Sequence, residues 1–103
     1  METSKKITLA TIKKFIRENK DNLFIKVKSD YDAMSDCYDA VDNPTLRKVT
    51  FDENSKCEHD LGVAGAWFVF DSRDYFREIE NENYKGYNVT NCCTSFELLT
   101  SKN

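Results

Sequence analysis

The sequence predicts an α+β fold, a four- to five-stranded mixed or antiparallel sheet with two or three helices packed on it. Three observations predict it. Leu9, Ile12, Phe15 and Ile16 recur at helical spacing. Leu23, Ile25 and Val27 alternate with Phe24, Lys26 and Lys28, which is the period of a strand. Asp71-Ser-Arg-Asp74 has the form of a capping box ahead of Tyr75, Phe76 and Ile79. At 103 residues, one domain spanning 1–103 is expected.

The elements follow in order. Thr8 to Lys20 is the first predicted helix, with Thr8 as a cap accepting a bond from a free first-turn amide. Lys13, Lys14, Arg17 and Lys20 lie mostly off its apolar stripe, and bases late in a helix suit the negative end of its dipole. Asn19 to Asn22 supplies the break, and Leu23 to Val27 is the first strand. From Ser29 to Val41, Tyr31, Met34, Cys37, Tyr38 and Val41 keep helical spacing, and Ser29 with Asp32 resembles a capping box. A second helix is expected there, although aspartate is poor helix stock. Asp42-Asn-Pro44 is a turn, Leu46 to Phe51 a short strand, and Asp52 to Asp60 a charged loop. Ala64 to Phe70 is the most apolar run, short and rich in aromatics, so it is expected as a central strand buried on both faces. Lys85-Gly86 marks a turn. Tyr87 to Asn91 and Ser95 to Leu99 are expected to pair as a hairpin around Cys92-Cys93.

Charge is distributed unevenly along the chain. Residues 1–28 hold eight bases against three acids, and residues 29–60 hold nine acids against three bases. Such asymmetry implies a polarised surface and a charged partner, unless the two halves cancel in the fold. No apolar run approaches the ~20 residues that span a bilayer. Met1-Glu-Thr-Ser-Lys-Lys leads into an amphipathic segment rather than a signal-peptide core, so a cytoplasmic protein is expected. Cys37, Cys57, Cys92 and Cys93 then read as thiols, not as a disulfide framework. The sequon at Asn88-Val-Thr90 has no consequence without secretion.

Few residues invite a chemical role. Cys57, His59 and Cys92 form the one candidate zinc set, but the spacing lacks paired knuckles, and adjacent strand residues such as Cys92 and Cys93 point apart. Packing thiols and a surface histidine explain it better. A thiol activated by His59 lacks a nucleophile elbow or a glycine-lined oxyanion loop, so no catalytic residue and no cofactor are expected. Asp30-Tyr-Asp32-Ala-Met-Ser-Asp36 starts like a calcium loop but lacks the glycine and the closing glutamate that complete the cage. Asp30, Asp32, Asp36, Asp39 and Asp42 read instead as an acidic surface, solvated by default and suited to a basic groove on a partner. Arg73 and Tyr75 form a secondary anchor pair at the expected helix start. Lys13, Lys14, Arg17 and Lys20 offer the alternative of phosphate contacts to nucleic acid, against an overall acidic chain.

Lys6-Ile-Thr-Leu-Ala-Thr-Ile-Lys-Lys-Phe15, Phe24-Ile-Lys-Val-Lys-Ser-Asp-Tyr-Asp-Ala-Met-Ser-Asp-Cys37 and Leu61-Gly-Val-Ala-Gly-Ala-Trp-Phe68 running to Ser72-Arg-Asp-Tyr-Phe76 cover most of the chain. In these stretches it resembles a family of small uncharacterised proteins from phages, prophages and plasmids. The resemblance carries no activity and no catalytic residue. It implies a non-enzymatic accessory protein that binds host machinery, as inhibitors of defence systems such as anti-CRISPR proteins do.

Overall fold

The computed structural model describes residues 7–32, 37–40, 44–51, 60–63, 66–90 and 94–102. It corrects the predicted α+β class. The described chain is mostly strand, every strand pair is antiparallel, and one helix is present where two or three were expected. None of its helices is long and apolar enough to cross a membrane.

The elements are α1 (Leu9–Glu18), β1 (Leu23–Asp32), β2 (Cys37–Ala40), β3 (Arg47–Lys48), β4 (Thr50–Phe51), β5 (Asp60–Val63), β6 (Ala66–Val69), β7 (Tyr75–Glu80), β8 (Tyr84–Thr90) and β9 (Thr94–Ser101). A six-stranded sheet runs β2-β1-β9-β8-β7, with β3 also on the outer edge of β1. A smaller sheet runs β4-β5-β6. Val49, 3% exposed, sits at the corner where the chain passes from β3 in the large sheet to β4 in the small one.

Alternation in β1 sets the two faces of the large sheet. On the inner face, register aligns Leu23, Thr100, Lys85 and Glu80 in one row. Ile25, Leu98, Tyr87 and Glu78 form the next, and Val27, Phe96, Val89 and Phe76 a third. Ile12 and Ile16 of α1, four residues apart on one helix face, are fully buried in the same core. Phe15 meets Tyr87 edge-on, with ring centroids 5.1 Å apart. The small sheet covers the remainder through Phe68 and Phe70, at 4.8 and 5.7 Å from the Phe96 ring. Each such large apolar side chain contributes about 1.5–3 kcal/mol by leaving water.

The first helix is where the stripe predicts it, but its cap differs. The Thr8 side chain makes no capping bond; its carbonyl accepts from the Thr11 and Ile12 amides at 3.0 and 3.3 Å. At the other end, the Asn19 side-chain amide donates to the Phe15 carbonyl at 2.9 Å. Asn22 donates to the Thr100 hydroxyl at 2.8 Å and to the Ser101 carbonyl at 3.2 Å, which ties the helix end to β9.

Two expected helices are strands. The stretch Ser29–Val41 supplies the end of β1 and all of β2, which pair as Ser29 with Ala40, Asp30 with Asp39, Tyr31 with Tyr38 and Asp32 with Cys37. Its helical spacing is a coincidence of side-chain order. Aspartate disfavours helix, tyrosine favours strand, and β9 offers Asp30 a ready ladder at Thr94. The second correction falls at Asp71–Asp74. The Asp74 carboxylate accepts from the Asp71 amide at 3.0 Å, the returning half of a capping box. Asp71 itself accepts from the Arg73 amide at 2.8 Å. These bonds close a turn, and the chain leaves it extended into β7.

The remaining departures concern boundaries. Leu46–Phe51 is split between two sheets as β3 and β4 rather than forming one strand. Ala64–Phe70 is not central: β6 edges the small sheet, with Phe68 and Phe70 buried but Val69 45% exposed. Lys85-Gly86 is no turn but lies within β8, opposite Thr100 and Leu99. Glycine is required there by close approach, because a Cβ would collide with the Leu98 carbonyl and lie 2.9 Å from the Leu99 Cα. The late hairpin of β8 and β9 does form.

A bulge interrupts β1. Val27 pairs with Phe96 and Ser29 with Ser95, so Lys28 has no opposite number on β9.

Candidate functional site

Three of the five expected acidic residues lie on described strands. Asp30 and Asp32 are on β1 and Asp39 is on β2, and the ladder sets Asp30 directly opposite Asp39. Asp36 and Asp42 lie outside the described residues, as do Cys57, His59, Cys92 and Cys93 of the metal and thiol candidates. Among the described residues no three His, Cys, Asp or Glu side chains gather as metal ligands would.

Arg73 and Tyr75 flank the entry to β7, not a helix start. Arg73 is 88% exposed along its side chain and bridges to Asp71 at 2.6 Å. Hydrogen bonds from the Arg73 side chain and backbone hold the Asp71 carboxyl below its ordinary value. Partial burial pushes the neighbouring Asp74 carboxyl upward. Tyr75 is 67% exposed. The helix bases are distributed around α1 and beyond it: Lys14 and Arg17 are exposed, Lys13 is half-buried, and Lys20 lies past the helix end.

An open cleft of about 470 Å³ lies where α1 ends over the sheet, lined by Asn19, Glu80, Lys85, Thr100, Ser101 and Lys102. Lys102 donates to Glu80 at 2.7 Å, and this bond draws the Glu80 carboxyl below its usual value. The Thr100 hydroxyl is committed to Asn19 and Asn22. Its cations, carboxylate and amides therefore largely satisfy one another.

The outer face of the large sheet is a surface that sequence reasoning missed. Register aligns Ile79, Gly86, Leu99, Phe24 and Lys48 in one row across five strands. Arg77, Asn88, Glu97 and Lys26 form the next row, and Tyr75, Thr90, Ser95, Ser29 and Ala40 a third. Beyond them, Tyr31 and Tyr38 are partners in the β1–β2 ladder. Phe24 and Tyr84 meet edge-on at 5.9 Å and shelter Leu99, which is 3% exposed. Tyr75 and Tyr84 thus share one face with Phe24. The signal was half visible in the alternation of Phe24 and Lys26 against Leu23, Ile25 and Val27. The other half needed strand order. No protein-family model, curated protein or solved structure matches this chain.

Proposed function

We propose that this is a non-enzymatic accessory protein of a phage or mobile element that binds a host protein, as an inhibitor of a defence or nucleic-acid-handling complex in the manner of anti-CRISPR proteins. The observation that carries the reading is the register of Asp30 opposite Asp39, with Asp32 two residues along the same strand. Like charges directly opposite each other across a ladder destabilise the pairing. No base occurs in either paired segment, 29–32 or 37–40. A carboxylate array held at this cost to the fold suits a basic groove that otherwise holds phosphates, and such complementarity speeds encounter and fixes orientation.

The test uses Asp30→Asn, Asp32→Asn and Asp39→Asn together, with binding and stability measured on the same variant. Wild-type protein is expected to capture a discrete host protein that added polyanion displaces, and the variant is expected to lose it. The variant is also expected to be more stable to urea by about 0.2–1 kcal/mol, because the cross-strand repulsion is gone. Capture that persists in the variant would rule this surface out.

A further inference from the structure

We propose that the outer face of the large sheet binds single-stranded nucleic acid, independently of the acidic hairpin. Charge on that face runs opposite to the chain as a whole. Among the described residues, register sets Lys26, Lys48 and Arg77 on it against a single acid, Glu97, in a protein of net charge −3. Asp30, Asp32 and Asp39 fall on the other face by the same alternation. Lys28, at the bulge, is exposed beside them. Among the described residues none of Lys26, Lys48 and Arg77 forms an ion pair, so all three have charge to offer a phosphate.

The aromatics supply the second half. Tyr75 at one end of the face is 67% exposed, and the Phe24–Tyr84 pair is half-exposed at the other. Cations interleaved with aromatic rings on an open sheet are what an unstacked strand needs. Phosphates take the charge, and bases stack on the rings with little regard to sequence. The five strands from β3 to β7 span about 19 Å at the usual strand spacing, enough for a few nucleotides. A duplex keeps its bases stacked on each other and cannot use the rings. The described helix and small sheet both lie on the inner face, which leaves this one open among the described residues.

The experiment is fluorescence anisotropy with a labelled mixed-sequence DNA strand of about 16 nucleotides, a full site for a small single-strand-binding domain. Binding is expected at low salt, with a log–log salt slope near −2 for three phosphates at about −0.7 each. Lys26→Ala, Lys48→Ala and Arg77→Ala together are expected to abolish it. Tyr75→Ala is expected to weaken it about tenfold, the loss of one stacked base. The same strand annealed to its complement is expected to bind at least tenfold more weakly. Lys14→Ala with Arg17→Ala tests the helix and is expected to change nothing. The hairpin variant Asp30→Asn, Asp32→Asn, Asp39→Asn is expected to bind as well as wild type, so failure of the host-protein reading leaves this one standing. Circular dichroism confirms that each variant folds. No anisotropy change at low salt overturns the proposal; so does binding that survives the triple lysine and arginine variant, or equal affinity for duplex.

Discussion

Phe96 lies between the two sheets, with Phe68 and Phe70 against its ring and Val27 and Val89 as its cross-strand neighbours. Truncation there leaves a void that both sheets border. Phe96→Ala is expected to cost about 3–5 kcal/mol in urea unfolding. Tyr75→Ala, on the open face, should stay within about 0.5 kcal/mol of wild type. The titrating groups make a finer prediction. The Lys102 hydrogen bond lowers the folded value of Glu80, and Arg73 lowers that of Asp71. Both contributions are fully present above the unfolded carboxylate range and are lost as pH falls through the lowered folded values. Asp74 acts with the opposite sign, since burial raises its folded value and acidification relieves it. Glu80→Gln should therefore lower stability slightly at neutral pH and leave it unchanged once wild-type Glu80 is protonated. Parallel thermal melts across an acid series check this.

At the scale of the element, β7 ends the large sheet and has one edge without a strand partner among the described residues. Two copies meeting there antiparallel in one continuous sheet must pair residues of the same face. A two-fold axis at residue 77 then sets Arg77 against Arg77, and one at residue 78 sets Glu78 against Glu78. Either repulsion guards the edge. Replacing Arg77 by Thr and Glu78 by Val should produce concentration-dependent association in light scattering, where the parent protein gives none. How legible each element was depends on how local its cause is. The stripe of α1 and the alternation of Leu23 to Val27 in β1 are written in consecutive residues, and the structure keeps both. Tyr31, Cys37 and Tyr38 keep helical spacing in sequence but lie on β1 and β2, which pair with each other at Tyr31–Tyr38 and Asp32–Cys37, and β1 is itself held at Ser29 and Asp30 by Ser95 and Thr94, more than fifty residues away. Asp74 makes the returning bond of a capping box, but the Asp71 side chain accepts from the Arg73 amide and the Asp74 amide goes to the Asp71 carbonyl, which closes a turn instead. Gly86 was read as a turn because close backbone approach at Leu98 leaves no mark on its own neighbours.

Over the whole molecule, a division along the chain becomes a division across the sheet. Basic residues 1–28 followed by acidic residues 29–60 were plain in the sequence. What was not plain is that Lys26 and Asp30 belong to one strand yet to opposite faces. The fold thus keeps a proposed carboxylate surface and a proposed phosphate-binding surface apart on one small scaffold. Raised salt should weaken both, while the two sets of substitutions separate them.

That separation hangs on Lys28 standing outside the ladder. Were β1 regular, the parity that turns Leu23, Ile25 and Val27 inward would carry Ser29 and Tyr31 inward and send Asp30 and Asp32 out among the lysines. The unmatched residue resets the count once, and everything beyond it changes sides. Deletion of Lys28 alone would set Val27 and Ser29 side by side opposite Phe96 and Ser95, so the tyrosines and aspartates of β1 would keep their faces and only the bulge would be lost. The faces beyond residue 28 are thus dictated by the partner strand, and the surplus residue is the slack that lets β1 meet it.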